Sequence, residues 1–258
     1  MLRLVLCDWN GTLLREMLEE TFFLGICRRA VLRAIRHGQA GKLVRIAVAG
    51  LRGFREYRAA LRRPERVPHH ITRIVEMLDP LVFRGLSREE LDDYTRFYAR
   101  RAQPMLDPRL LAPLELARER FGLPVGVISS GCRSGIEATM SMANYPVDFI
   151  CANDFWWDGD RTAGFRFTLT DNKLQLLDMV LAEHGVEADD VMYIGDGPLD
   201  AECFGRVGWP VVSFFASQRH RARFAREYGA FAPPNQAAFQ QHLFDACQDG
   251  KGGKGGKD

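Results

Sequence analysis

Residues 2–14 read LRLVLCDWNGTLL, and this stretch decides how the fold is interpreted. A short apolar run rich in Leu and Val is typical of a buried strand, and the Asn10-Gly11 pair behind it predicts a turn. Asp8 is therefore expected at the carboxyl end of a strand, which is the edge where open α/β sheets bind ligands. Taken alone, residues 8–12 would be better explained as an ordinary polar turn.

Three later segments change that interpretation because they follow in a fixed order. A second apolar strand at residues 123–129 ends in a hydroxyl side chain, Lys173 opens a helical stretch, and a third apolar strand at 191–194 precedes two acids, Asp196 and Asp200. As a set, these segments and the first one resemble the four motifs of the haloacid dehalogenase-like (HAD) superfamily of phosphatases and phosphotransferases. The resemblance covers both ends of the chain and is strongest with the phosphoserine phosphatase-like branch.

The resemblance implies phosphoryl transfer, which requires a nucleophile, neutralisation of the phosphoryl oxygens and a proton donor. A carboxylate can attack phosphorus and form an aspartyl-phosphate, which divides one difficult hydrolysis into two easier steps. The catalytic residues implied are Asp8, Asn10 and Lys173. The cofactor implied is Mg²⁺, held by Asp8, the backbone carbonyl of Asn10, Asp196 and, directly or by orienting another ligand, Asp200. The phosphate-binding groups implied are Thr12, Ser129, Ser130, Gly131 and Lys173.

The interpretation of Lys173 depends on its place in the order of the motifs. By itself it would be interpreted as a solvated lysine in the first turn of a helix. Its position 23 residues before Asp196, directly after Asn172 as a candidate N-cap, favours the motif instead.

Asn10 departs from the family pattern, since most phosphatases of the superfamily carry an Asp two residues after the nucleophile. That Asp protonates the leaving oxygen and later activates water, and such general acid–base catalysis contributes roughly 10²–10⁴-fold. An amide cannot exchange the proton, so two hypotheses stay open. The first is a Mg²⁺-dependent phosphatase acting on a small phosphomonoester. The second is an inefficient or non-hydrolytic relative, either a phosphotransferase or a binder of phosphorylated ligands or anionic surfaces.

Hydrophobic periodicity predicts an α/β fold: a doubly wound, Rossmann-like parallel sheet with a helical insert after the first strand. The family resemblance implies that this insert is an all-helical cap domain. Residues 1–14 and 103–249 form the predicted core, 15–102 the cap, and 250–258 a disordered Gly/Lys tail. Within the cap, Ser87 and Glu90 form a capping box that starts a helix. The predicted helices are 21–37, 42–63, 87–101, 109–121, 133–143, 172–184, 199–207 and 235–248. The predicted strands are 123–129, 148–151, 191–194 and 210–215, with a hairpin at 153–168 and a polar loop around His69 and His70.

Composition excludes several classes of protein. No apolar run in the 258 residues is long enough for a membrane span, and no secretory signal is expected at the N-terminus. The six cysteines are scattered without a Cys-x-x-Cys pair, which argues against a zinc knuckle or a disulfide framework. Reduced thiols predict a cytoplasmic protein.

The predicted cap is strongly basic, with twelve Lys/Arg against two acids over residues 28–66. Solvated helix faces explain part of this excess. The functional alternatives are a polyanionic substrate or an anionic surface, whether lipid headgroups or nucleic acid, although no specific nucleic-acid partner is predicted. The partner expected of the core is a small phosphorylated substrate. Phosphoserine itself is disfavoured because Met17 stands where the family uses an acid.

Overall fold

The computed structural model describes residues 1–16, 19–62, 67–145, 147–166 and 173–248. Its centre is a six-stranded sheet in the order β4-β3-β2-β1-β5-β6. Every neighbouring pair is parallel except β3 and β4, which form an antiparallel hairpin at one edge. The strands are β1 Leu4–Cys7, β2 Val125–Cys132, β3 Phe149–Asp158, β4 Arg161–Arg166, β5 Val191–Gly195 and β6 Trp209–Val212.

Helices cover both faces of this sheet, which confirms the predicted doubly wound α/β fold. They are α1 Glu19–Arg36, α2 Ala40–Arg62, α3 Val67–Leu78, α4 Arg88–Ala102, α5 Pro108–Phe121, α6 Arg133–Met142, α7 Lys173–His184, α8 Ala201–Arg206, α9 Gln218–Tyr228 and α10 Gln236–Gln248. The side chains of β1 alternate between the faces. Leu4 and Leu6 join one apolar cluster with residues of α7, α8 and α9, whereas Val5 and Cys7 join the other with residues of α5 and α10.

Helices α1 to α4 follow one another between β1 and β2 in the sequence, as predicted for the insert. Ser87 caps α4 through the predicted capping box, since its hydroxyl accepts from the Glu90 amide and the Glu90 carboxylate accepts from the Ser87 amide. The insert also packs on the sheet: Phe22 of α1 contacts Tyr98 of α4 and Phe155 of β3 edge to face.

The edge hairpin is hydrogen-bonded to the segment between α3 and α4. The Thr162 hydroxyl of β4 donates to the Phe83 carbonyl at 2.6 Å and accepts from the Leu86 amide at 2.9 Å. The Asp79 carboxylate accepts from the Phe165 amide. Backbone bonds between Thr162 and both Gly85 and Leu86 complete the connection. The hairpin therefore joins the sheet to the inserted helices.

Two local predictions are wrong, and one further helix was missed. His69 and His70 lie in helix α3 rather than in a loop, because Pro68 occupies the first turn of that helix, where a missing amide proton costs little. Helix α9 was not predicted. Strand β3 runs unbroken from Phe149 to Asp158, so the predicted short strand and the first arm of the hairpin are one element. The predicted tail, Met17 and Asn172 lie outside the described residues.

All six cysteines are free thiols. None of the helices in the described part of the chain combines the length and the apolar character needed to cross a membrane.

Candidate active site

Strand register brings the predicted residues to one edge of the sheet. Cys7 of β1 pairs with Val127 of β2 and with Ile194 of β5. Asp8 therefore follows directly at the carboxyl end of β1, while Ser129 and Asp196 each lie two residues beyond a paired position on the flanking strands. Since neighbouring strands are about 4.8 Å apart, the three residues share one short stretch of the sheet edge.

Lys173, the first residue of α7, connects the acids at this edge. Its Nζ lies 2.8 Å from Asp8 Oδ1 and 2.7 Å from Asp200 Oδ1. The Lys173 side chain is only 5% exposed and those of Asp8 and Asp200 are 8% and 1% exposed, so these contacts are made away from water. Burial alone would lower the pKa of Lys173, but the two carboxylates outweigh it and raise that pKa above its ordinary value. Lys173 is therefore a permanent cation in the site.

Asp200 is held by four donors. Oδ1 accepts from Lys173 and from the Tyr193 hydroxyl at 2.8 Å, and Oδ2 accepts from the amides of Asp196 and Gly197, both at 3.0 Å. An ionised carboxylate offers about four lone-pair sites, so these bonds saturate it. Such an arrangement favours a role for Asp200 in positioning Lys173 and the turn that carries Asp196.

The turn after β1 brings its backbone against Asp196. Gly11 has a left-handed φ of +72°, and a Cβ atom at this position would overlap the Asp196 carboxylate. Only glycine combines this conformation with so close an approach. Its carbonyl accepts from the Ser213 hydroxyl at 2.6 Å, which ties the turn to the chain just after β6.

The electrostatics of the site suit a divalent cation. Oxygen atoms of Asp8, Asp196 and Asp200 all lie within 4.8 Å of one another. Burial, opposed by Lys173, raises the pKa of Asp8 to about 7. Burial together with the neighbouring Asp8 and Asp200 carboxylates raises the pKa of Asp196 to about 7. Among the described residues, these three acids thus face a single ammonium group, that of Lys173. The site is short of positive charge, which a hard cation with oxygen ligands would supply.

The predicted phosphate-binding residues are near this edge, and Ser129, Ser130 and Gly131 take part in internal hydrogen bonds. Ser129 is fully buried, and its hydroxyl accepts from the Gly131 amide at 2.9 Å. The Ser130 carbonyl accepts from the Asn153 side chain at 2.8 Å. Thr12 is also fully buried, and its hydroxyl has no hydrogen-bond partner among the described residues. A buried polar group of this kind is consistent with a ligand that brings its own acceptor.

Three residues of the site were not predicted from the sequence. Tyr193 lies within the apolar strand β5, where an aromatic side chain is indistinguishable from a core residue. Ser213 follows a strand without any motif around it. Tyr98 of α4 accepts from the indole of Trp9 at 3.0 Å, which links the inserted helices to the turn after Asp8. The position of Ser213 just after the last parallel strand is the one signal that could have identified it.

Comparisons with solved structures show the same fold. A HAD family hydrolase from Salmonella enterica serovar Typhi matches at 16% identity with a TM-score of 0.56, covering 85% of this chain and 64% of that one. A phosphoserine phosphohydrolase-like protein from Francisella tularensis matches at 13% identity with a TM-score of 0.57, and the match covers 93% of this chain and 99% of that one. Cytosolic 5′-nucleotidase IIIB bound to cytidine matches at 15% identity with a TM-score of 0.58, and the match covers 95% of this chain and 85% of that one.

A search of curated proteins gives no significant match. A family model described as haloacid dehalogenase-like hydrolase matches residues 5–205, which extend from β1 through the inserted helices to α8. This span includes the Asp8 strand, Lys173 and both acids after β5. The chain belongs to the haloacid dehalogenase-like hydrolase family.

Proposed function

We propose that this hydrolase is a Mg²⁺-dependent phosphatase that acts on a small phosphomonoester through an aspartyl-phosphate on Asp8. The observation that carries the proposal is the buried group in which Lys173 contacts Asp8 and Asp200 while Asp196 lies beside them. Family membership and the phosphoserine phosphohydrolase-like protein among the similar structures agree with it.

Asp8 is the nucleophile in this proposal. One carboxylate oxygen attacks phosphorus, the bond to the leaving oxygen breaks, and water later cleaves the aspartyl-phosphate to release inorganic phosphate. Lys173 neutralises charge on both the nucleophile and the phosphoryl oxygens, and it does so without losing its proton. The hydroxyls of Thr12 and Ser129 and the amides of Ser130 and Gly131 hydrogen-bond the phosphate, which requires the Gly131 amide to leave the Ser129 hydroxyl.

The residues that would hold Mg²⁺ are Asp8, Asp196 and the backbone carbonyl of Asn10. A bound Mg²⁺ would screen the repulsion between a carboxylate nucleophile and an anionic substrate. Asp200 is proposed as a positioning residue because its oxygens are already saturated by Lys173, Tyr193 and two amides.

Residues 15–102 are proposed to act as a cap that closes over the substrate and excludes water. The hydrogen bond between Trp9 and Tyr98 supports this role, because it connects helix α4 directly to the turn that carries the nucleophile. The six free thiols support a cytoplasmic location.

Release of phosphate from p-nitrophenyl phosphate tests the function. The parent protein should release it only with Mg²⁺, and Asp8→Asn should be inactive. Asp178→Asn is the matched control, because Asp178 is a half-exposed acid of α7 paired with Arg206 outside the site. Equal turnover by Asp8→Asn and the parent would refute the proposal. Binding of phosphorylated ligands without any turnover would favour the non-hydrolytic alternative.

A further inference from the structure

Helix α2 has two apolar faces, and the described part of the chain covers only one of them. Ile46, Ala49 and Gly53 recur at three-and-four spacing and are buried, with Gly53 approaching Ile74 of α3. Val44, Val48 and Leu51 recur with the same spacing on the opposite side. A helix that belongs only to the surface of a globular protein needs one apolar stripe, directed at the core. The second stripe of α2 therefore requires its own explanation.

The second stripe is solvent-exposed. Val44, Val48 and Leu51 are 63%, 45% and 57% exposed, and Phe54 continues the stripe at 57%. Single exposed apolar residues are ordinary, but a row of them along nearly three turns of one helix is typical of a contact surface. We call Val44, Val48 and Leu51, together with Arg45, Arg52 and Arg55 beside them, the outer face of α2.

The charge of the outer face limits what can cover it. Helix α2 contains six Lys/Arg and one acid, Glu56, whereas the rest of the chain contains more acids than bases. Arg45, Arg52 and Arg55 are exposed, and none of them is in an ion pair with another described side chain. The partner should therefore be anionic, and the field of the whole chain would turn this helix towards it.

A second copy of the chain fits the outer face poorly, since a symmetric contact would bring the two sets of arginines together. Nucleic acid would satisfy the arginines but would leave the Val and Leu side chains against phosphates and sugars. An interface of anionic lipid satisfies both, because aliphatic side chains enter the boundary between headgroups and acyl chains while arginines contact lipid phosphates.

We propose that the outer face of α2 docks on an anionic membrane surface. Val44, Val48 and Leu51 insert at the boundary of the acyl chains, and Arg45, Arg52 and Arg55 bind the headgroup phosphates. The helix lies in the plane of the surface, since its inner face stays packed on α3. The inference is independent of the proposed phosphatase activity and would stand if that activity were absent.

Flotation of the full chain with lipid vesicles tests the inference. Vesicles of phosphatidylcholine with about one third phosphatidylglycerol should bind the protein at least about tenfold more strongly than pure phosphatidylcholine, and added salt should weaken that binding. Absence of binding, or equal binding to both compositions, would overturn the proposal.

Charge-reversal variants test the arginines. Arg45→Glu/Arg52→Glu/Arg55→Glu should lower the partition coefficient on anionic vesicles by at least about a hundredfold, because each basic residue near such a surface contributes about fivefold. Arg219→Glu/Arg223→Glu/Arg226→Glu on α9 changes the net charge equally on another exposed helix and should change binding by no more than about threefold. An equal loss in both triple variants would show an effect of net charge alone and would contradict docking through α2.

Two double variants test the apolar stripe. Val48→Ser/Leu51→Ser should weaken binding at least about tenfold, whereas Leu116→Ser/Met179→Ser, whose side chains are 45% and 59% exposed on α5 and α7, should leave it unchanged. Circular dichroism and the melting temperature establish that each variant folds. Concentration-dependent dimerisation of the parent that Val48→Ser/Leu51→Ser abolishes would assign the face to a second copy and overturn the proposal.

Discussion

Asp200 makes the most hydrogen bonds of any residue in the candidate site, although it is the last of the predicted acids along the chain. Its carboxylate fixes Lys173 and Tyr193 on one oxygen and the amides of Asp196 and Gly197 on the other. Asp196 differs, because it forms no ion pair with a described residue and burial raises its pKa to about 7. The two acids therefore affect stability in opposite directions.

Replacing each of these acids by its amide should separate their roles. Asp200→Asn places an NH₂ group against donors and leaves Lys173 with one carboxylate fewer, so it should cost about 3–5 kcal/mol of unfolding free energy. Asp196→Asn removes a buried charge that costs energy in the absence of metal, so it should be neutral or stabilising. Urea unfolding at pH 8 without Mg²⁺ measures both. A larger loss for Asp196→Asn than for Asp200→Asn would contradict the assignment.

Asn10 lies two residues after the proposed nucleophile, where an acid would supply the proton for the leaving group. If the missing donor limits the rate, Asn10→Asp should increase turnover of p-nitrophenyl phosphate at least about tenfold, a cautious lower bound for general acid catalysis. Steady-state kinetics with saturating Mg²⁺ measure the change. An unchanged or slower rate would show that the site has adapted to the amide.

Elements with strong periodicity or a clear cap were predictable, and the others were not. The capping box at Ser87 located α4, and apolar runs located β1, β2 and β5. Helix α9 was missed because among its side chains only Phe224 is buried, so its sequence carries almost no apolar periodicity. In the site, charged residues at strand ends were predictable from their order, whereas Tyr193 and Ser213 act through contacts that only the packed structure shows.

The N-cap of α4 can be tested at the level of the element. Ser87→Ala removes the hydroxyl that accepts from the Glu90 amide at 3.2 Å and should lower the free energy of unfolding by about 1 kcal/mol. Ser141→Ala, at an exposed position inside α6, is the control and should change it by less than about 0.5 kcal/mol. Equal effects in thermal unfolding would mean that the capping box contributes nothing specific.

The whole molecule combines an acidic site with basic inserted helices. The acids of the site make the stability of the folded protein depend on pH. The pKa values of Asp8 and Asp196 are raised to about 7, so between about pH 4 and pH 7 the folded, metal-free protein holds protons that the unfolded chain has released. These two groups therefore make the metal-free protein less stable as the pH rises through this window. A bound cation requires the charged forms, so binding must displace the same protons.

Stabilisation by Mg²⁺ should accordingly grow with pH. The increase in melting temperature on adding a fixed excess of Mg²⁺ should be larger at pH 8 than at pH 5.5, and it should be nearly absent in Asp196→Asn at both. Thermal unfolding followed by circular dichroism measures the difference. An increase that is the same at both pH values, or that persists in Asp196→Asn, would place the cation elsewhere.

The covalent intermediate is the central claim, and trapping it tests that claim most directly. Borohydride reduces an aspartyl-phosphate to homoserine, so protein quenched during turnover of p-nitrophenyl phosphate with Mg²⁺ can be digested and examined by mass spectrometry. The account predicts homoserine at position 8 in the parent and its absence in Asp8→Asn. Turnover in the parent without this modification, or modification at another acid, would contradict it.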